Sequence, residues 1–407
     1  MTSVLHICAP VSGHKRLGWN ARHTTALSRE RGIAADWCES EQREIIYIIK
    51  KHRPRVVVIM ALGVELAEMA RLAEHCPKTI FVVKNHSGPQ FLAMEGKSWK
   101  LWLDCGDLNR TYGNVRLAAI RPEMVDAVAG LGSPCVLLPN VYPPAELAAA
   151  RAALRRGGDG RWPMVDSRWP ITDSRANHSG GLPSSNFHLP TSVSCLPSPH
   201  SPFHIGLFGA MRPLKNAVGM ALAVAQAGRR LREDGRVTIL HVNQRAEMGS
   251  GADLSIITEI CSRAGTGLMR HDWLDHVDFK RLAAQMDVCV CASFEETYNY
   301  VAADCITAGA PVAGSPAIGW LPEMQQFNPD STESLCQAIL AAPRWPREPQ
   351  LKALEDFNAW AAERLLETFA ELGVECSRER VPAAEPQSTE TSAPAMMVAA
   401  TANGSGQ

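Results

Sequence analysis

Short continuous apolar runs recur along most of the chain and alternate with longer amphipathic stretches. Runs of this length are typical of strands that are buried on both faces of a parallel sheet. In the first part of the chain, the strand candidates are Val4–Pro10, Arg55–Leu62, Thr79–Lys84, Gly113–Ile120 and Cys135–Pro139. In the second part, they are His204–Phe208, Arg236–Val242, Gly267–Arg270, Asp287–Cys291 and Pro311–Ala313. Two such series predict two doubly wound α/β domains, with ligands bound beyond the carboxyl ends of the strands.

Composition sets the domain limits. Ser, Pro and Gly fill 21 of the 48 positions between 155 and 202, and a seven-residue echo begins at Asp159, Asp166 and Asp173. This segment is either a disordered insertion, which we favour, or a linker that binds a partner. The predicted units are a first domain over 1–145, a linker with the insertion over 146–202, a second domain over 203–345, a helical segment over 346–376 and a disordered tail over 377–407.

Charge, cysteine content and missing motifs exclude several classes of protein. The net charge of the 407 residues is −1, but residues 1–145 hold 18 basic and 13 acidic residues, whereas residues 203–375 hold 15 and 22. The chain has no C-x-x-C, P-loop, G-x-G-x-x-G, G-x-S-x-G, H-E-x-x-H or D-x-D motif, which disfavours P-loop enzymes and dinucleotide oxidoreductases. The start of the chain lacks a secretory pattern and the cysteines are scattered, so we expect a cytoplasmic protein with reduced thiols.

Three segments of the second domain carry candidate chemistry. In the first, Gly209 allows close approach of a ligand to the backbone, and Arg212 and Lys215 place two cations beside a helix start, an arrangement that can hold a diphosphate. In the second, Glu296 lies at a strand-to-helix turn and Asp304 follows eight residues later, so both carboxylates could accept hydrogen bonds from sugar hydroxyls. The third segment, 308–315, ends a helix at a glycine and enters a short strand.

Together, these segments resemble the retaining GT-B glycosyltransferases, most closely glycosyltransferase family 4. The frame of that family is a Glu, seven residues, a second Glu and then a small-residue Gly-x-Pro-Val run. The matching residues here are Glu296, Asp304, Cys305, Ala308, Gly309, Pro311 and Val312. Upstream, Arg212, Lys215 and Asn216 match the family's diphosphate loop. Downstream, the segment 319–323 is similar to its Gly-x-x-Pro-Glu turn.

The first domain carries further points of resemblance. His86 ends a strand in the way of the family's histidine that faces the donor sugar, and Gly13 lies in the loop after the first strand. The segment 137–141 is similar to the family's exit into the interdomain linker, and Leu351–Leu372 to the C-terminal helix that crosses back to the first domain. The resemblance therefore implies a GT-B fold, in which two Rossmann-like domains face each other across a cleft.

The resemblance also implies a function, which is the metal-independent transfer of a hexose from a nucleotide-diphosphate sugar, with retention of configuration and no other cofactor. It implies catalytic roles for Glu296, His86, Arg212 and Lys215. Arg212 and Lys215 would stabilise the leaving diphosphate, Glu296 would position the sugar, and Asp304 would hold the ribose. The donor-binding residues that it implies are Gly13, Gly209, Arg212, Lys215, Asn216, Glu296, Thr297, Tyr298, Asn299 and Asp304.

The acceptor remains open at this stage. A glycan or glycolipid is the leading expectation, and the basic first domain points weakly to an anionic acceptor. Nucleic acid is the alternative if basic clusters such as 50–55 converge on the cleft, and Lys97–Trp102 could give a membrane-proximal or sugar-stacking surface, although packing is favoured there. Asp304 in place of Glu and Thr297 in place of Gly motivate a third hypothesis, which is a GT-B-like protein that binds a nucleotide or a partner without catalysis.

Overall fold

Two parallel sheets, each covered by helices on both faces, build the protein in a computed structural model. The structure describes residues 2–9, 15–60, 64–94, 96–157, 201–247 and 249–375. The predicted tail, Gly13 and nearly all of the 155–202 insertion lie outside these residues. Within them, no helix has both the length and the apolar character that a membrane span requires.

The first domain contains a six-stranded sheet with the strand order β2-β1-β3-β4-β5-β6, and every neighbouring pair is parallel. Its elements are β1 Val4–Cys8, α1 Lys15–Glu30, β2 Ala35–Glu39, α2 Ile45–His52, β3 Val56–Met60, α3 Leu66–His75, β4 Ile80–Lys84, α4 Pro89–Met94, α5 Gly96–Tyr112, β5 Val115–Ala119, α6 Pro122–Gly130 and β6 Cys135–Leu137. All five residues of β1 and of β3 are buried, as the continuous apolar runs predict.

The second domain contains a five-stranded parallel sheet with the order β11-β10-β7-β8-β9. Its elements are α7 Pro144–Gly157, β7 Phe203–Leu207, α8 Ala217–Glu233, β8 Thr238–Asn243, α9 Gly251–Ala264, β9 Gly267–His271, α10 His276–Ala283, β10 Val288–Cys291, α11 Tyr300–Thr307, β11 Val312–Gly314 and α12 Thr332–Ala341, followed by α13 Glu348–Glu371. Helix α7 occupies the start of the segment that we predicted as a linker, and its Leu147 and Ala150 join the apolar core of this domain.

Helix α13 joins the two domains. Near its start, Leu351 and Leu354 pack into the core of the second domain. Towards its end, Leu365 and Phe369 pack against strands of the first domain. Helix α13 therefore runs from the core of the second domain to that of the first domain.

The Lys97–Trp102 segment lies in α5, and here the surface interpretation is wrong for Trp102. That side chain is fully buried, and its indole Nε1 donates to the Val83 carbonyl at 3.1 Å. Trp99 packs beside it, with 5.6 Å between the ring centroids. Burial against the sheet explains both aromatic residues without a membrane or a sugar ligand.

Candidate active site

Glu296 lies in the loop between β10 and α11, beyond the carboxyl end of a central strand. Its side chain is buried and forms an ion pair with the Lys215 ammonium. Its Oε1 atom also accepts hydrogen bonds from the Ser293 hydroxyl at 2.6 Å and from the Asn299 amide at 3.0 Å. A buried carboxylate needs such compensation, and here one cation and two neutral donors provide it.

Asn299 fixes the shape of this loop. Its backbone is left-handed, with φ of 64°, a conformation that Asn adopts more readily than most residues. Its side-chain oxygen accepts from the Ala302 amide at 2.9 Å and so caps α11, while its amide nitrogen bonds Glu296. Thr297 needs no such left-handed conformation, so its β-branched side chain meets no backbone strain there.

The loop after β7 carries the predicted diphosphate residues. Gly209 has φ of 97°, and its amide donates to the Asn243 side chain at 3.0 Å. The Leu214 carbonyl accepts from the Phe294 amide at 2.9 Å, which joins this loop to the one that carries Glu296. Asn216 is also left-handed, with φ of 53°, and it precedes α8. The two loops therefore form one surface.

Both predicted phosphate-binding cations have carboxylate partners in this arrangement. Arg212 donates from Nε to Glu247 Oε2 at 2.7 Å, and Arg245 contacts the other oxygen of Glu247 at 2.6 Å. Lys215 is paired with Glu296. Two cations, Arg212 and Lys215, thus lie in the loop beyond the carboxyl end of β7. If phosphate oxygens replaced their carboxylate partners, the positive charge of each would remain compensated.

In the first domain, His86 lies just beyond the carboxyl end of strand β4. The residue is partly buried, and its side chain forms a hydrogen bond with Asn140. Its Nε2 atom is shielded from solvent and has no hydrogen-bond partner among the described residues. Burial, followed by the charge of Lys84, holds the pKa of His86 well below its usual range. His86 is therefore a neutral imidazole, with one shielded ring nitrogen that has no hydrogen-bond partner among the described residues.

The structure adds Lys84, to which the sequence analysis gave no role. Its side chain is buried, and its ammonium donates to Asn20 Oδ1 at 3.1 Å and to the Pro139 carbonyl at 3.3 Å. Asn20 in turn bonds Asn140 at 3.0 Å and the Tyr300 hydroxyl of the second domain. Burial lowers the pKa of Lys84 to about 7. A charged residue at the end of an apolar run was the only sequence signal for it.

Asp304 lies on α11, eight residues after Glu296 as expected, but the helix begins only at Tyr300. Its Oδ1 atom accepts from the Tyr142 hydroxyl at 2.8 Å and from His276 Nε2 at 3.0 Å. Glu146 Oε2 lies 3.1 Å from the same hydroxyl, whose single proton the two carboxylates share. Burial, reinforced by the nearby carboxylates, holds the Tyr142 pKa well above its usual value, so this hydroxyl stays a donor.

Three side chains of this network, Glu146, His276 and Asp304, could together hold a metal ion. They are the one such group among the described residues. In this arrangement, Lys280 already neutralises Glu146 at 2.7 Å, and His276 is hydrogen-bonded to Asp304. Each of these three side chains thus has a hydrogen-bond or charged partner in this arrangement.

A cavity of about 150 Å³ adjoins Glu296 between the two domains. Its wall is formed by residues 120–123 of the first domain, residues 296–298, 317 and 319–320 of the second domain, and Phe357 and Trp360 of α13. Arg121 spans the cleft here, because its guanidinium donates to the Glu296 carbonyl at 3.3 Å. The site thus has walls from both domains.

Known structures share this architecture at low sequence identity. The Anabaena protein HepE, solved with UDP and glucose, aligns with 91% of this chain and 99% of its own at 12% identity and a TM-score of 0.52. A UDP-forming trehalose-phosphate synthase from Burkholderia xenovorans covers 91% and 98% at 12% identity and a TM-score of 0.56. A glycosyltransferase from Rickettsia africae covers 91% and 98% at 10% identity and a TM-score of 0.53.

These likenesses show that the chain has the GT-B fold, as its sequence motifs predict. No protein-family profile and no curated protein sequence matches the chain. Membership of glycosyltransferase family 4 therefore stays a prediction that depends on the motifs alone.

Proposed function

We propose that the protein is a glycosyltransferase that takes a sugar from a nucleotide-diphosphate donor. The observation that carries this proposal is the Lys215–Glu296 ion pair beside Arg212, because it sets a cation and a buried carboxylate together at the carboxyl ends of two neighbouring parallel strands. The GT-B fold adds support, since HepE was solved with UDP-glucose. A UDP-sugar is thus the first donor to test.

In this proposal, Arg212 and Lys215 bind the diphosphate and stabilise the charge that develops on it as the glycosidic bond breaks. Fixed cations in a water-poor cleft are effective because they need no reorganisation during the reaction. When the donor binds, phosphate oxygens replace the Glu296 carboxylate as the partner of Lys215. Glu296 then keeps its hydrogen bonds from Ser293 and Asn299 and accepts another from a sugar hydroxyl. In this proposal, the positive charges of Arg212 and Lys215 take the place of the metal ion that other sugar transferases use.

The remaining roles follow from the positions of the side chains. The free Nε2 of His86 accepts a hydrogen bond from a sugar hydroxyl across the cleft. Asp304 holds the ribose through its second oxygen, since Oδ1 is engaged by Tyr142 and His276. We propose retention by front-face attack, in which the leaving phosphate oxygen accepts the proton of the acceptor hydroxyl and Glu296, held by Lys215, Ser293 and Asn299, positions the sugar.

We propose a glycan or glycolipid as the acceptor. The nucleic-acid alternative needs basic clusters at the rim of the cleft, but the cluster at 50–55 joins α2 to the amino end of β3, whereas the site lies at the carboxyl ends of the strands. Little or no binding of DNA at physiological salt is therefore expected. Tight binding that weakens steeply with salt would favour the alternative.

The proposal is tested with a panel of UDP-, GDP-, ADP- and CDP-sugars. We expect one donor to raise the thermal midpoint and to be turned over, and we expect Lys215→Ala and Arg212→Ala each to lower turnover by about 10²-fold or more. Wild-type turnover in either folded variant would refute the diphosphate role. Binding of a donor without release of its sugar would favour a non-catalytic GT-B protein.

A further inference from the structure

Glu295, the residue before Glu296, reaches across the cleft into the first domain. Its side chain is buried, and Oε2 accepts a hydrogen bond from the Phe91 amide at 2.9 Å while Oε1 accepts one from the Gln90 amide at 3.3 Å. Both amides belong to the first turn of α4. The first amides of a helix have no acceptor within the helix, so Glu295 supplies acceptors that α4 itself lacks.

Gly88 leaves the space that this carboxylate occupies. A Cβ atom at Gly88 would lie 2.0 Å from Glu295 Oε1 and 2.7 Å from its carboxyl carbon. The Gly88 backbone is not left-handed, so the space around it, and not its conformation, excludes a side chain. Its carbonyl accepts from the Leu92 amide at 3.0 Å, which places Gly88 at the very start of α4.

No cation compensates Glu295 among the residues that the structure describes. The neighbouring carboxylate of Glu296 has Lys215, whereas the partners of Glu295 are two backbone amides of the other domain. A buried carboxylate with only these donors depends on the closed cleft, because opening would leave the first turn of α4 without its acceptors. The contact is therefore specific to the arrangement in which the domains meet.

The contact lies between two parts of the proposed site. Gly88 is two residues from His86, and Glu295 is adjacent to Glu296, so a fixed Glu295–α4 contact sets the spacing of His86 and Glu296. Arg212 adds a second contact, because its guanidinium lies 5.7 Å from the centroid of the Phe91 ring. Helix α4 is thereby seated on the donor side of the cleft.

We propose that Glu295 is a positioning residue that fixes the closed cleft by binding the first turn of α4, and that Gly88 is required because any side chain there would displace it. This role rests on the proposed function, because it assembles the His86 and Glu296 halves of the transferase site. It adds a residue that does not touch the reacting atoms.

The test is hydrogen exchange, resolved to single residues, at the Gln90 and Phe91 amides of the full chain. We expect Glu295→Ala and Gly88→Ala to speed exchange at these two amides by about tenfold or more, since no helical acceptor replaces the carboxylate. Glu295→Gln keeps the shape and one acceptor oxygen, so a smaller increase is expected. Gly96→Ala is the matched control, because a Cβ at Gly96 meets nothing within 4 Å.

Turnover gives a second readout. With the donor that the wild type uses, Glu295→Ala should lose up to about 10²-fold in kcat, the order that misplacement by about 1 Å can cost. Binding of UDP should stay within about twofold, because the proposed nucleotide contacts lie in the second domain. Glu295→Gln should recover part of the kcat.

The outcomes separate the two proposals. Unchanged exchange at Gln90 and Phe91 in Glu295→Ala would overturn the positioning role, whatever the activity. If the wild type turns over no donor, the proposed function fails, while the exchange result still decides whether Glu295 holds α4. If Gly88→Ala does not fold, Glu295→Gln carries the test, because it adds no atoms to the contact.

Discussion

Among the residues that the structure describes, Lys215 is the one cation paired with the buried carboxylate of Glu296, and Lys215→Met removes it. The Glu296 side chain is 6% exposed and that of Lys215 is 25% exposed, so water replaces little of the lost interaction. Breaking a buried ion pair typically costs about 3–5 kcal/mol. Because Ser293 and Asn299 still donate to Glu296, we expect the lower end, about 3 kcal/mol, or a thermal midpoint lower by roughly 6–12 °C for a domain of this size.

The assay is urea and thermal unfolding of four proteins, the wild type, Lys215→Met, Glu296→Gln and the double variant. In the double variant no carboxylate charge is left without a partner. Its loss of unfolding free energy should therefore be about 1–3 kcal/mol smaller than the sum of the losses in the two single variants. Lys97→Met is the control, because Lys97 is exposed and should change stability by less than about 0.5 kcal/mol. Equal effects of Lys215→Met and Lys97→Met, or strictly additive losses in the cycle, would refute this reasoning.

Three further substitutions test the interior. Lys84 has a pKa of about 7 in the folded protein and of about 10.4 in the unfolded chain. Between these values the unfolded chain binds more protons, so the free energy of unfolding of the wild type should rise by up to about 1.4 kcal/mol per pH unit. Lys84→Met should lose this rise when denaturation curves at pH 7 and pH 9 are compared. His6 is buried, neither of its ring nitrogens has a hydrogen-bond partner in the described part of the chain, and burial lowers its pKa to about 3. His6→Leu should therefore gain about 1–3 kcal/mol at pH 7 and lose less stability below pH 6.5; a loss at pH 7 would contradict this. Tyr142→Phe removes a donor to the buried Asp304 and should cost about 1–3 kcal/mol in urea unfolding, and an unchanged midpoint would show that the bond contributes nothing.

The sequence predicted the strands well where burial on both faces gives a continuous apolar run. It missed β2, because Ala35–Glu39 includes Asp36 and lies at an edge of the sheet where most of its residues are only partly buried. Its pattern also predicts the first helix around Ala21–Arg31, whereas α1 begins at Lys15, because Lys15–Leu17 lack an apolar pattern. Local pattern therefore reports two-sided burial and is weaker at sheet edges and helix starts.

The grouping of the proposed donor-side residues on two loops was predictable because the members of each loop are close in sequence. Glu296 and Asn299 share one loop, and the loop of Arg212 and Lys215 carries its own glycine and cations. The contacts that join the domains were not predictable in this way. Glu295 meets Gln90 across 205 positions, and the Asn20–Tyr300 bond spans 280. Such pairs depend on how two folded domains meet, which no local pattern encodes.

The Asp304 network shows the same limit. Motif spacing placed a carboxylate on α11, but its partners Tyr142 and His276 lie on different elements, so the engagement of Oδ1 was invisible in the sequence. Trp102 is the converse case. Packing was the favoured interpretation of Lys97–Trp102, and helix geometry does turn Trp102 to the core and the lysines to solvent.

Release of the nucleotide diphosphate from the preferred donor, measured for the wild type and for Glu296→Ala, tests the central claim most directly. Thermal unfolding first confirms that the variant is folded. The account predicts steady release by the wild type and a loss of at least about 10²-fold in the variant. Equal release by both proteins, or no release from any donor by the wild type, would contradict the assignment of this cleft as a glycosyltransferase site.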